Sequence, residues 1–332
     1  MDKPYLLFLG DVPDQLAAKT ARGIADWRPE WVVGQLRLPG CRADAGAPDL
    51  TLAQAAAQGA RTLIVGVAFS GGAMPKHWVG TIVEAIGLGM DVASGLHDRL
   101  TDVPEIVAAA TANGRRLFDV RHSAERFSTG KGHRRTGLRL LTVGTDCSVG
   151  KKYTVLALER EMRARGMKAR FCATGQTGVF IAERGVAIDA VISDFIAGAA
   201  EWLSPDNEPD HWDLIEGQGS LFHAAFAGVT LGLLHGAQPD ALVLCHEPTR
   251  THMRGLEHMP IPKIEDCFEP YLRHAHLTNP ESRFVGIAID THLLDRPAAE
   301  RLLKSTEDRF GLPCCDPIAT GTGAIVDRLT AW

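Results

Sequence analysis

Residues 140–153 read LLTVGTDCSVGKKY. Leu140, Leu141 and Val143 form an apolar run that predicts a buried β-strand. A glycine-bounded loop follows, and Lys151 then opens a segment whose apolar residues recur at helical spacing. In a strand–loop–helix of this kind, the loop amides and the positive end of the helix dipole face one point, where the lysine adds a full charge. The pattern predicts a phosphate-binding loop made of Gly144, Thr145, Asp146, Cys147, Ser148, Val149, Gly150, Lys151, Lys152 and Tyr153.

The loop differs from the standard phosphate-binding loop at two points. Its spacing is Gly-x5-Gly-Lys, one residue longer than usual, as in the dethiobiotin synthetase-like P-loop proteins. Lys152 stands where NTP-splitting loops carry the Ser or Thr that holds Mg²⁺. An ammonium group cannot bind a metal ion, but it can neutralise further phosphate charge. The loop is therefore expected to hold a phosphorylated ligand without an essential Mg²⁺, and we predict no metal site.

Length and composition narrow the class of protein. The chain has 332 residues, which predicts about two domains, and 45% apolar against 23% charged residues predicts a sizeable core. The formal net charge is −5 with no extended basic face, so nucleic acid is not an expected partner. The first residues lack an apolar run long enough for a signal peptide or membrane span. Seven scattered cysteines favour a reducing cytoplasm over a disulfide framework.

The first 120 residues alternate between apolar runs and helix-like segments, which predicts a doubly wound, Rossmann-like α/β domain. No GxGxxG opens a helix there, so a dinucleotide ligand is not supported. Ligands of such sheets bind at the carboxyl ends of the strands. Gly71-Gly72 at one of these ends is a tight turn or part of a ligand site, and His97-Asp98 at another is either solvated or in contact with substrate. The five predicted strands are residues 5–10, 31–36, 62–68, 91–93 and 116–120.

Residues 121–137 are basic, polar and poor in aliphatic side chains, which is typical of a linker. Arg134 and Arg135 in this segment either reach a phosphorylated or acidic ligand or are simply solvated. Residues 138–332 again alternate between strands and helices, which predicts a P-loop NTPase-like α/β domain.

Further strand ends of this second domain are expected to converge on the loop. Glu216 ends an apolar strand, as the metal-binding acid of a P-loop enzyme does, and without Mg²⁺ its carboxylate is free to accept a proton. Asp194 is either a helix N-cap or a second carboxylate at the site. Arg250 suits bidentate binding of a carboxylate. The predicted substrate-binding residues are Gln176, Thr177, Gln218, Arg250 and Arg134.

Five short stretches together resemble one known family. The stretches GTDCSVGKKYT, DLIEGQGSL and HEPTR, with GVAFSGG and SGLHD upstream, are similar to those of two-domain P-loop proteins catalogued as a domain of unknown function. The resemblance covers essentially the whole chain, although relatives more commonly carry Met and Thr where this chain has Lys152 and Tyr153. Some members of the family acetylate the amino group of D-glutamate from acetyl-CoA, and the resemblance implies the same activity here. Coenzyme A carries a diphosphate and a 3′-phosphate, so the resemblance implies that it occupies the loop without Mg²⁺.

This resemblance implies a mechanism and roles for several residues. The amino group of the acceptor must lose a proton before it attacks the thioester, so a base is required. Glu216 and Asp194 are the preferred candidates, and His223 is the third. Arg250, or else Arg134 or Arg135, would pair with the carboxylates of the amino acid. A covalent route through the Cys147 thiol is a less favoured alternative.

Two other functions stay open at the level of sequence. An ATP-dependent ligase or kinase of the dethiobiotin synthetase class would need Mg²⁺, against which Lys152 argues. A nucleotide-sensing P-loop protein would bind ATP or GTP without chemistry. We expect a cytoplasmic enzyme that acts on a small amino acid and that forms a symmetric homo-oligomer.

Overall fold

The computed structural model describes residues 1–68 and 73–330, so the predicted Gly71-Gly72 turn lies outside the described residues. The chain folds into two compact units, one made of residues 1–125 and 175–190 and the other of residues 126–174 and 191–332. A parallel sheet accompanied by helices forms the framework of each unit. The predicted α/β class is therefore confirmed.

The first unit is built on a five-stranded parallel sheet with the order β2-β1-β3-β4-β5. All six residues of β1 are buried, as expected for a strand covered on both faces of the sheet. Each strand lies within a few residues of its predicted position. The elements are β1 (Tyr5–Gly10), α1 (Lys19–Trp27), β2 (Val32–Arg37), α2 (Leu52–Ala57), β3 (Thr62–Val65), α3 (Val79–Gly87), β4 (Asp91–Ser94), α4 (Pro104–Asn113) and β5 (Leu117–Asp119).

The rest of the chain supplies a six-stranded parallel sheet with the order β13-β12-β9-β6-β8-β7, and a separate antiparallel hairpin formed by β10 and β11. The elements are β6 (Leu138–Gly144), α5 (Lys151–Ala164), β7 (Ala169–Cys172), α6 (Gln176–Ala182), α7 (Ile196–Leu203), β8 (Trp212–Ile215), α8 (Ala227–Ala237), β9 (Ala241–His246), β10 (His252–Met253), β11 (Leu256–Pro260), α9 (Ile264–Ala275), β12 (Arg283–Ile289), α10 (Arg296–Phe310), β13 (Cys314–Cys315) and α11 (Gly323–Thr330).

The position of β6 in this sheet determines where the loop lies. Strand β6 pairs with β8 on one side and with β9 on the other, and β12 pairs with β9. Because all these strands are parallel, their carboxyl ends meet at one edge of the sheet. The segments that follow β6, β8, β9 and β12 are therefore neighbours, in line with the predicted convergence of strand ends on the loop.

Helix α6 belongs to the first unit, although Gln176 and Thr177 at its start were predicted to bind substrate beside the loop of the second domain. The hydroxyl groups of Thr20 on α1 and Thr177 on α6 lie 2.9 Å apart. Gly95 packs so closely on α6 that an added Cβ would lie 2.8 Å from the Gln176 Cβ. The chain thus leaves the second sheet after β7, adds α6 to the first unit and returns near residue 191.

The two ends of the predicted linker pack into different units. Arg121 is buried in the first unit, where its Nε donates to the Gly95 carbonyl at 2.8 Å. In the second unit, the amides of Lys131 and Gly132 both donate to the Glu201 carboxylate. The unit boundary therefore falls near residue 125, inside the predicted linker of residues 121–137.

The core of the second unit lies between its sheet and helices α7, α8 and α9. Leu141 and Val143 of β6 pack with Leu242 and Leu244 of β9 and with Tyr271 of α9 in one buried cluster. In the described ranges, each helix is too short or too polar to cross a membrane.

Candidate functional site

The first residue of the loop is held by a buried tyrosine. The Tyr271 hydroxyl donates to the Gly144 carbonyl at 2.7 Å and also accepts from the amides of Gly144 and Leu221, at 3.4 and 3.3 Å. Burial raises the pKa of Tyr271, so the hydroxyl remains a donor. It joins the end of β6 to the segment after β8. Tyr271 was not predicted from the sequence, although a helical spacing of apolar side chains would have predicted α9: Ile264, Cys267, Phe268, Tyr271 and Ala275.

Replacing Tyr271 by phenylalanine should therefore destabilise the fold. The change leaves the ring in place but removes the hydroxyl that bonds the buried Gly144 carbonyl and the amides of Gly144 and Leu221. We expect this loss to lower the free energy of unfolding by about 1–3 kcal/mol. Urea unfolding followed by circular dichroism measures this loss. An unchanged midpoint would show that the hydroxyl does not support the loop.

The loop backbone turns its amides towards a common point. Ser148 and Gly150 have φ angles of 53° and 89°, in the left-handed region that produces anion-binding nests. Helix α5 starts directly after Gly150 without a side-chain cap. Among the residues that the structure describes, no acceptor lies within hydrogen-bonding distance of the amides of Ser148, Val149, Gly150 and Lys151. These four donors can bind an anion together with the helix dipole.

Lys151 lies inside the loop. It is only 6% exposed, and its Nζ donates to the Asp146 carbonyl at 2.7 Å. Burial lowers the pKa of its ammonium group, while nearby thiols and Asp146 act in the opposite direction. A bound anion would offset the cost of burying this charge, so the loop favours a ligand with several negative charges. Lys152 is half-buried, with its Nζ 5.1 Å from the centre of the Tyr153 ring.

Thr145, the second residue of the loop, is fixed by its neighbours at the sheet edge. Its hydroxyl lies 3.0 Å from His246 Nδ1, and its carbonyl accepts from the Ser220 hydroxyl at 3.1 Å. Burial lowers the pKa of His246, which favours a neutral ring at this position. Thr145 therefore connects the ends of β6, β8 and β9.

The Asp146 carboxylate links the loop to the residues after β9. It is fully buried, and it accepts from the Arg250 guanidinium and from the Arg254 amide, each at 2.8 Å. Arg250 also donates to Glu247 and to the carbonyls of Cys147 and Ser148. The sequence predicted that Arg250 binds the substrate. In the structure, its donors are instead engaged by the loop and by Glu247.

Glu216 lies at the end of β8, next to the loop. It is 5% exposed, and its Oε2 accepts from the Thr174 amide at 3.1 Å. The Thr174 hydroxyl also accepts from the Gln218 side chain at 3.3 Å. An added Cβ on Gly217 would lie 1.7 Å from a β6 carbonyl and 3.0 Å from the Lys151 Cδ, so only glycine fits between the loop and this segment. The structure thus brings Glu216 and Gln218 to the site.

The other two predicted bases have less favourable surroundings. His223 is buried, with Nδ1 accepting from the Ala225 amide at 3.2 Å and Nε2 lying 3.0 Å from the Arg254 carbonyl. Both ring nitrogens are therefore occupied by the backbone. Asp194 is exposed on a 3₁₀ turn that packs on α7 and α8, and it is not the N-cap, which is Ile192.

Asp146, Cys147 and His223 offer three potential metal-ligand atoms within 4.8 Å of one another. The hydrogen bonds of Asp146 and His223 already use the atoms that a metal ion would need. We therefore interpret this cluster as support for the loop rather than as a metal centre.

Three predicted substrate-binding residues are placed away from the loop edge or in the other unit. Arg134 pairs with Asp240 at 2.5 Å, and because Asp240 immediately precedes β9 it marks the amino end of that strand, opposite the loop. Arg135 donates to the Gly236 and Ala237 carbonyls at the end of α8. Gln176 and Thr177 belong to the first unit.

Comparison with known proteins identifies the family. Residues 36–123 match the Rossmann-like N-terminal domain and residues 126–326 the P-loop domain of DUF1611, a domain of unknown function. Two relatives are named D-glutamate N-acetyltransferase. The relative from Tritonibacter scottomollicae is 53% identical to this chain, and the match covers 100% of this chain and 99% of the relative. The relative from a Pseudoalteromonas species is 51% identical, and the match covers 98% of both chains. A crystal structure of a DUF1611 family protein from Anabaena variabilis is 30% identical over the whole of both chains, with a TM-score of 0.91. The resemblance inferred from the loop motifs is thereby confirmed, and the chain belongs to the D-glutamate N-acetyltransferase family of DUF1611 proteins.

Proposed function

We propose that this chain transfers the acetyl group of acetyl-CoA to the amino group of D-glutamate. The observation that carries the proposal is the full-length identity of 53% to a protein named D-glutamate N-acetyltransferase. The described loop supports it, because its free amides and buried Lys151 suit a ligand with a diphosphate. Lys152 at the position of the Mg²⁺-binding hydroxyl favours anchorage of the diphosphate over its hydrolysis.

The donor would be held by the loop through its diphosphate. The amides of residues 148–151 would bind the phosphate oxygens, and Lys151 and Lys152 would supply positive charge. The Thr154 hydroxyl, two positions beyond Lys152, donates to the Gly150 carbonyl at 3.0 Å and so is committed to the helix backbone. The loop therefore anchors the donor with main-chain donors and ammonium groups.

Glu216 is the base that we favour. It is buried at the strand end beside the loop, and the Thr174 amide fixes one of its carboxylate oxygens. In the proposed reaction, the acceptor nitrogen attacks the thioester carbonyl, Glu216 takes the proton from that nitrogen, and the thiolate of coenzyme A leaves. The Gln218 side chain donates to the Thr174 hydroxyl, which itself donates to the Glu216 carbonyl. Gln218 is therefore close to the proposed base and is proposed to contact the acceptor.

The acceptor's two carboxylates need cations other than Arg250 and Arg134. Arg250 is bound to Asp146 and Glu247, and Arg134 pairs with Asp240 at the opposite edge of the sheet. The proposed acceptor site therefore does not include Arg250 or Arg134. Asp194 and His223 are retained only as weaker candidates for the base.

One assay tests the proposal against its rivals. The protein is incubated with acetyl-CoA and D-glutamate, L-glutamate or other D- and L-amino acids, with and without EDTA, and the release of free thiol is followed. We expect thiol release that depends on D-glutamate and that survives EDTA, together with a product of the mass of N-acetylglutamate. Absence of release, together with Mg²⁺-dependent turnover of ATP, would favour a ligase or kinase instead.

A further inference from the structure

The segment that follows β12 contacts the start of the loop helix. Asp290 lies so near Gly150 that a Cβ added to this glycine would be 3.8 Å from the Asp290 Cβ. The Asp290 amide donates to the His246 carbonyl at 2.9 Å, which fixes its backbone at the sheet edge. No role for this segment was predicted from the sequence. It borders the proposed diphosphate site on the side away from Glu216, because β9 and β12 lie on one side of β6 and β8 on the other.

An imidazole ring is held at this border by a carboxylate. His292 Nδ1 lies 2.6 Å from Asp290 Oδ1, and the His292 side chain is 62% exposed. Nothing in residues 1–68 or 73–330 hydrogen-bonds to its other ring nitrogen. The carboxylate holds the ring through Nδ1 and so fixes its orientation. The free Nε2 is thus available to bond a further anionic group next to the loop.

Two exposed apolar side chains accompany this imidazole. Leu293 is 63% exposed and Ile318 is 57% exposed. Their loops are tied together by buried Asp316, which accepts from the Thr291 amide and from the Ile318 amide, each at 2.9 Å. Burial alone would raise the pKa of Asp316, but these hydrogen bonds outweigh it and lower the pKa. Asp316 therefore links the loop that carries His292 and Leu293 to the loop that carries Ile318.

We propose that this surface binds the adenosine 3′-phosphate arm of the donor, an inference that rests on the proposed function. A diphosphate held in the loop has two substituents, which must leave it in different directions. If the thioester extends towards Glu216, the adenosine arm extends towards β12 and β13. There the adenine ring covers Leu293 and Ile318, and the His292 ring bonds the 3′-phosphate through Nε2. His292 would then distinguish coenzyme A from ligands without this phosphate.

The test compares acetyl-CoA with acetyl-3′-dephospho-CoA as donors for the full-length protein and for His292→Ala. We expect the natural protein to prefer acetyl-CoA in kcat/KM by roughly 10- to 100-fold, the range of one charge-assisted hydrogen bond. In His292→Ala this preference should fall to about threefold or less, through loss of activity with acetyl-CoA alone. His133→Ala is the matched control, since His133 is equally exposed but lies beside Arg134, at the other edge of the sheet.

A second variant separates the two parts of the surface. Leu293→Ser should weaken both donors to the same extent, because it removes a contact with the adenine ring, adds no charge and leaves the 3′-phosphate partner intact. If His292→Ala keeps the full preference for acetyl-CoA, or weakens both donors equally, the assignment of His292 is wrong.

Calorimetric titration with coenzyme A and 3′-dephospho-CoA distinguishes failure of the subsite from failure of the proposed function. A binding preference that depends on His292, in a protein that acetylates no amino acid, would support the subsite and overturn the acetyl transfer. If coenzyme A does not bind at all, both proposals fail.

Discussion

Lys151→Met is expected to lower kcat/KM for acetyl-CoA by about 100-fold, the effect of losing the charged contacts of one buried ammonium group with a diphosphate. The Nζ of Lys151 is enclosed by the loop, and its pKa is already lowered by burial, so it is a strong partner only when an anion compensates for desolvation. Methionine has a similar length and fills the same space. The loss should appear as weaker donor binding, measured by titration with coenzyme A.

Lys152→Met is the matched control for this experiment, because Lys152 is half-buried and its charge is more easily replaced by solvent ions. We expect about a tenfold effect or less from a partly screened charge. The unfolding midpoint of Lys151→Met should not fall, since removing an incompletely compensated buried charge is neutral or stabilising. Equal activity of Lys151→Met and the natural protein would exclude the loop as the donor site.

Arg250→Ala is expected to reduce the unfolding free energy by about 3–5 kcal/mol, because it leaves the fully buried Asp146 carboxylate without its charged partner. The change also removes two donors to the loop carbonyls of Cys147 and Ser148. Donor binding should weaken in parallel, since the loop loses its support. Chemical denaturation and titration with coenzyme A measure the two effects.

This result would separate the observed role of Arg250 from the role predicted from sequence. An arginine that bound the acceptor would raise KM for the amino acid and leave both stability and donor affinity unchanged. Arg296→Ala is the control, because Arg296 also pairs with a carboxylate, Glu300, but is 89% exposed. A fully exposed pair of this kind is screened by solvent, so its loss should leave the unfolding midpoint almost unchanged. If the two variants unfold at the same denaturant concentration, Arg250 does not support the loop.

The sequence predicted the sheets well because parallel strands buried on both faces are continuous apolar runs. It also predicted which segments meet at the loop, since the carboxyl ends of parallel strands share one edge. Strand β6 and the segments that begin at Glu216 and His246 illustrate this. Helices α9 and α10 were not predicted, although both carry apolar residues at helical spacing. As a result, Tyr271 and the segment around Asp290 were missed.

Side-chain partners could not be predicted in the same way, because they depend on packing between distant parts of the chain. Arg250 was expected to face a substrate, but the buried Asp146 carboxylate 104 positions away takes its guanidinium. Arg134 was expected to bind the substrate, and here the position in the chain already argues against that role. It precedes β6, so it belongs to the amino edge of the sheet, and chain direction alone placed it opposite the loop.

The excursion of residues 175–190 into the first unit has a practical consequence for dissecting this enzyme. The polypeptide passes from one unit to the other three times, near residues 125, 174 and 190. A gene fragment that ends at residue 125 lacks a helix of the unit it is meant to encode, and one that begins at residue 126 carries that helix with nothing to cover it. Splitting the gene into halves is therefore expected to give unstable products, whereas grafting the helix back through a short peptide bridge offers a route to each half.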